Sequence, residues 1–149
     1  MDKLEDIFKL QAKLNDRVFA KHNICGAHDE PVTMEEIAAE ANSSDNWFGP
    51  NHLPNIWLRN YLRALQEEGK ELEAELLWKW WSKDQINMQN IRVEIVDIMH
   101  FLVSLALAAG LTAEEFHRLY TAKHKVNEQR QEQGYSKETK NEADNKSVV

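Results

Sequence analysis

The sequence predicts an all-α fold, a helical bundle of four or five helices, and three observations carry that prediction. Apolar residues recur at helical spacing over long stretches, with no strand-like alternation. Glycine and proline number only 5 and 3, and Gly26, Pro31, Gly49, Pro50 and Pro54 crowd into one segment. Two capping boxes, Thr33 with Glu36 and Thr112 with Glu115, mark helix starts.

The elements follow in order. Leu4, Ile7, Phe8, Leu10, Leu14, Val18 and Phe19 predict a first helix over about 3–21. A loop covers 22–32. Thr33 then opens a short helix to about residue 42. The stretch SSDNWFGPNHLPN is a loop rich in turn residues. A long helix is predicted from about 55 to 81, and SKDQIN breaks it. Another spans about 88–109 and stops at Gly110. Thr112 caps a last helix to about 133, ended by Gly134. Residues 1–135 read as a single domain. The tail over 136–149 lacks an apolar cluster and is expected to be mobile without ligand.

Composition narrows the classes. Hydrophobic residues are 42% and charged residues 29% of 149, which suits one domain with its own core. No apolar run reaches the ~20 residues that span a bilayer. The start, MDKLEDIFKL, is charged and has no signal-peptide core, so a cytoplasmic location and no membrane partner are expected. Cys25 is the one cysteine and excludes an internal disulfide. A net charge of −7 disfavours nucleic acid as a partner, although an acidic protein can bind polyanions through a metal ion.

The residues that carry chemistry lie on two helices. The stretch 91–109 is apolar almost all round, which predicts burial in the bundle or at a subunit interface. Its only acids are Glu94 and Asp97. At ~100° per residue they share a sector with His100, Phe101 and Ser104. Two carboxylates on such a helix are costly unless something pairs with them, and Arg92 points elsewhere. The preceding helix offers Glu68 and Glu71 on one face, with Glu75 a turn further. ExxE facing ExxD supplies four hard oxygen ligands, which suit Mg²⁺, with Mn²⁺ as a substitute. Glutamate pairs on helices are more often solvated, so ExxE alone is a weak signal; acids within an apolar helix are the stronger one. A competing set, His22, Cys25 and His28, lacks a fourth zinc ligand. His100 reads as a core or supporting residue rather than a ligand.

Four segments resemble the dimeric dUTPases, members of the all-α nucleotide pyrophosphohydrolase superfamily that also holds MazG-like enzymes. They are LQAKLN, EEGKELEAELLWKWWSK, IRVEIVDIMHFLVS and YTAKHKVNEQRQEQGY, and EADN near the end is similar to the family's terminal acidic-Asn motif. The segment 23–54 and the short tail depart from the pattern. The resemblance implies Mg²⁺ on Glu68, Glu71, Glu94 and Asp97, and base recognition by Gln11 and Asn15. It implies a base pocket lined by Trp78 and Trp81, and deoxyribose packed on Phe101. Lys123, Asn127, Arg130 and Tyr135 would then contact or close over phosphates.

The blander readings make Gln11 and Asn15 surface residues, the tryptophans core, and the face from Lys123 to Arg130 a solvated one. The implied reaction is hydrolysis of dUTP, with dUDP a second candidate, to dUMP and pyrophosphate in the first case. The alternatives are a related enzyme for dCTP or a broader set of nucleotides, and a non-catalytic helical dimerisation module. A homodimer or higher homo-oligomer is expected from the apolar helix.

Overall fold

Helix α1 (Lys3–Lys21) turns an unusual face inward: Phe8, Gln11, Asn15 and Phe19 are buried, while Ile7, Leu10, Leu14 and Val18 are exposed. The helical period is as predicted, but two amides occupy the buried stripe and four aliphatics the outer one. The computed structural model describes residues 2–26, 28–43, 49–134, 136 and 142–149. Among these, five α-helices and one 3-10 helix fall into two units, Met1–Gly110 and Leu111–Val149.

In the first unit, Asn23 and Asp29 take positive φ in the loop after α1, a conformation their short polar side chains tolerate. Helix α2 (Met34–Ala41) starts at the predicted capping box: the Thr33 hydroxyl accepts from the Glu36 N–H at 3.2 Å, and the Glu36 carboxylate from the Thr33 N–H at 3.0 Å. Asp16 accepts from the Met34 N–H at 2.7 Å and ties that start to α1. Helix α3 (Leu53–Glu75) opens with Pro54 in its first turn, where the missing N–H is not needed. Helix α4 (Met88–Ala108) is capped by the Asn87 side chain, which accepts from the Asn90 N–H at 3.1 Å.

Helices α3 and α4 form the main packed pair, and α1 and α2 lie against α4. The core gathers Phe19, Val32, Met34, Ile37, Tyr61 and Ala108, with Trp57 and Phe101 partly buried at its edge. Gly110 closes α4 with φ +80°, and its carbonyl accepts from the Asn42 amide at 3.0 Å.

One expectation changes and another narrows. The helix predicted to run to residue 81 ends at Glu75, and Leu76 turns extended with ψ 137°. The apolar period continues through Leu76, Leu77 and Trp78, yet nothing among the described residues covers it: Trp78, Trp80 and Trp81 are 75%, 89% and 61% exposed. A helix there would gain no tertiary packing, which is what sustains most helices. Helix α4 is also not buried all round in one chain. Ile91, Val103, Ala106 and Ala108 face inward, whereas Val93, Ile95, Val96 and Leu102 are exposed.

In the second unit, α5 (Ala113–Glu132) begins at the other predicted capping box, Thr112 with Glu115. Part of the tail is regular: Glu142–Ser147 forms a 3-10 helix against α5. Lys123 donates to Asn145 there, and the Arg130 guanidinium lies 3.4 Å from the Asp144 carboxylate. Tyr135 and residues 137–141 lie outside the described residues.

Candidate active site

The sequence spacing places Glu68 on the side of α3 that meets α4, and Glu94 and Asp97 on the side of α4 that meets α3. Carboxylate oxygens of the three lie within 4.8 Å of one another. It is the one such group of potential metal ligands among the described residues, and His22, Cys25 and His28 are not drawn together. All three carboxylates are half-buried. No ion pair among the described residues involves them. Glu94 Oε2 is cut off from solvent and accepts no hydrogen bond.

Electrostatics match that geometry. Burial first, then the charges of Glu71, Asp97 and Glu94, hold the Glu68 carboxyl above the usual carboxylate range. Glu94 is raised in the same way, by burial and then by Glu71, Asp97 and Glu75. Glu71, predicted as a fourth ligand, is exposed and outside the tight group, but its charge reaches both neighbours. Glu75 accepts from the Asn90 amide at 3.5 Å. A buried, unpartnered carboxylate oxygen beside two mutually repelling acids is a donor set suited to a hard divalent cation, which would supply the missing charge.

A cleft of about 520 Å³ opens beside these acids, with Glu68 and Asp97 in its wall. Gln11, Asn15 and Phe101, all predicted for substrate, line it. Both amides are 6% exposed, so the surface reading of them fails. Gln11 Nε2 donates to Asn15 Oδ1 at 2.9 Å, and Asn15 Nδ2 donates to Ser104 Oγ at 3.0 Å. His100 Nδ1 lies 2.6 Å from Gln11 Oε1.

Three aromatic residues that sequence reasoning missed, Phe19, Trp57 and Tyr61, complete the wall. Trp57 packs edge-on to Phe19 with ring centroids 4.6 Å apart and sits 5.5 Å from the Tyr61 ring. The missed signal is a spacing: 57, 61 and 68 fall on one face of α3 with the first acid. Burial pushes the Tyr61 phenol well above its ordinary value, so its hydroxyl keeps its proton; it donates to the Met34 sulfur at 3.7 Å.

Trp78 and Trp81 do not line this cleft. They sit in the connector between α3 and α4, stacked edge-on with centroids 5.9 Å apart, and Trp78 borders a separate groove with Leu76, Leu77 and Asp84. Lys123, Asn127 and Arg130 belong to the second unit, on α5.

Fold and site together define an all-α protein with an acidic, metal-suited cluster beside a cleft lined by aromatics and amides. A family model described as dUTPase matches residues 3–116, and the chain belongs to that family. It is 31% identical to a dCTP pyrophosphatase of Enterobacteria phage T4 over 104 aligned positions, covering 53% of this chain and 61% of the relative. A dCTP pyrophosphatase of Enterobacteria phage LZ5 is 32% identical, with 53% and 60% covered. A DNA replication protein of phage T4 is 29% identical over 94 positions, only 24% of its length. The chain thus spans about three-fifths of the two pyrophosphatases it matches. No solved structure matches it significantly.

Proposed function

We propose that the chain is a divalent-metal-dependent nucleoside triphosphate pyrophosphohydrolase that converts dUTP to dUMP and pyrophosphate. The observation that carries this reading is the convergence of Glu68, Glu94 and Asp97, with the orphaned Glu94 oxygen, at the wall of a cleft lined by two amides. Glu68, Glu94 and Asp97 would hold Mg²⁺ or Mn²⁺, with Glu71 at the rim, and the ion would supply the positive charge that offsets the triphosphate and acidifies water.

The chain's own groups do the rest. Glu71, which lies outside the tight ligand group, or Glu68 takes the proton of the attacking water. Water oxygen bonds to the α- or the β-phosphorus, the bridging P–O bond to the attacked phosphorus breaks, and pyrophosphate or dUMP, respectively, leaves with the electron pair. Gln11 and Asn15 read the base edge, because an amide offers both a donor and an acceptor. Trp57 flanks the base and Phe101 the deoxyribose. Lys123, Asn127 and Arg130 share one face of α5 and would contact phosphates. A role for Trp78 and Trp81 requires the connector to move toward a base, or a second copy to bring them.

A second reading has its own support: two relatives are named for dCTP, so cytosine competes with uracil as the base. The rival reading as a non-catalytic dimer leaves the acidic cluster without a purpose. We also propose a homodimer and a cytoplasmic location. Among the described residues no single helix is long and apolar enough to cross a membrane.

A panel of dUTP, dUDP, dCTP and other nucleotides, assayed for phosphate and pyrophosphate release, tests the assignment. Activity should vanish with EDTA and return with Mg²⁺ or Mn²⁺. Full activity after exhaustive chelation rules the mechanism out, and no release from any nucleotide returns the chain to the non-catalytic reading.

A further inference from the structure

The polar chain in the wall of the cleft has a direction, and one buried group sets it. Ser104 is fully buried, and its hydroxyl donates to the carbonyl of His100 at 3.0 Å. A carbonyl can only accept, so the hydroxyl proton is committed and its lone pairs are left to accept. Asn15 therefore turns Nδ2 toward Ser104. The Met34 sulfur, 3.6 Å from the same nitrogen and shared with the Tyr61 hydroxyl, is a weak acceptor that favours the same orientation without fixing it. Asn15 Oδ1 then faces Gln11 and takes a hydrogen bond from Gln11 Nε2. That leaves Gln11 Oε1 toward His100, whose Nδ1 must carry the proton. Neither amide imposes this order, since each can flip about its last bond. The imidazole does not impose it either, because it can carry its proton on either nitrogen.

We propose that Ser104 is the positioning residue that determines base specificity, because it fixes the order of oxygen and nitrogen that Gln11 and Asn15 present to the cleft. This rests on the reading of the cleft as a nucleobase site. At the exocyclic group on C4 and at N3, uracil offers an acceptor then a donor, and cytosine a donor then an acceptor. An amide locked in one orientation matches one base and sets like against like with the other. A mismatch leaves buried polar groups unpaired, the kind of penalty that separates substrates most sharply. An amide free to flip would serve both bases.

The test compares kcat/KM for dUTP and dCTP, with Mg²⁺ present, in wild type and Ser104→Ala. The substitution removes one oxygen and leaves the amides in place. Wild type should favour one base by at least about tenfold. Ser104→Ala should bring the ratio about tenfold closer to one, chiefly through KM, while Ser104→Cys, a weaker donor, falls between. Nitrogen-15 shifts of neutral His100 give a readout independent of turnover: the proton should sit on Nδ1 in wild type and divide between both nitrogens in Ser104→Ala. An unchanged ratio in the variants, a wild type indifferent to the base, or a wild-type proton on Nε2 overturns the proposal. Should Ser104→Ala not fold, the Ser104→Cys ratio and the wild-type shifts decide. Absence of turnover with every nucleotide overturns the nucleotide reading instead, and this inference with it.

Discussion

At Asp97 the loss of one charge separates two kinds of role. Asp97→Asn keeps shape and removes a negative charge from a cluster where three acids repel. If Asp97 holds metal, turnover should fall steeply while the metal-free protein melts no lower, and even higher, than wild type. If it instead balanced a buried cation, stability should drop by ~3–5 kcal/mol. Thermal melts with EDTA, alongside a pyrophosphate assay, distinguish the two; a strongly destabilised variant with normal turnover per folded molecule would sink the catalytic assignment.

The raised carboxyls of Glu68 and Glu94 extend this to pH. A group that binds its proton more tightly folded than unfolded weakens the fold once it is ionised, and that penalty fades as pH falls through the raised value. Metal-free Glu94→Gln should therefore melt above wild type near neutrality. The gap should close as pH falls through the raised range toward 4.5, the ordinary carboxylate value. Glu115 has the opposite sign: hydrogen bonds from Thr112 lower its pKa, so its contribution is present above 4.5 and is lost as pH falls through the lowered value. Melting curves of wild type and Glu94→Gln across this range check the crossover. A gap that widens on acidification would contradict it.

At the scale of elements, helix ends were legible wherever side chains satisfy the terminal backbone groups. Thr33 and Thr112 start helices as read, and Gly110 stops one. The end of α3 was not legible, because the apolar period runs past Glu75 into residues that no element among the described residues covers. The acids on α4 were legible because carboxylates stand out on an apolar helix. The wall of the cleft was harder: Trp57 and Tyr61 look like ordinary core spacing, and His100 meets Gln11 across 89 residues, a pairing no local pattern encodes.

Gly110 gives a direct check on the element boundaries. A Cβ there would lie 2.8 Å from Asn42 side-chain atoms in addition to the strain of φ +80°, whereas at Gly134, with φ +78°, it meets nothing within 4 Å. Gly134→Ala should cost about 1–2 kcal/mol from backbone strain alone, and Gly110→Ala distinctly more. Chemical denaturation of both variants measures the difference; equal costs would show that Asn42 gives way freely.

At the scale of the whole molecule, the inverted α1 matters most. Its outward aliphatics Ile7, Leu10 and Leu14 border a groove completed by Val96 and Met99 of α4. Contiguous exposed apolar surface of this kind marks an interaction site, and a second copy of the chain is the expected partner. Light scattering at micromolar concentration should give a dimer or larger, and Leu10→Lys should shift it toward monomer with helical content retained. A monomeric wild type would contradict this.

The uneven placement of the indoles makes the protein its own optical reporter. Trp78, Trp80 and Trp81 stand in solvent, while Trp57 is half-buried in the wall of the cleft. In a Trp47→Phe background, which removes the indole that lies outside the described residues, a small soluble quencher should extinguish the three outer emitters and spare much of the inner one. What remains would report the arrival of a nucleobase against Trp57 before any bond is broken.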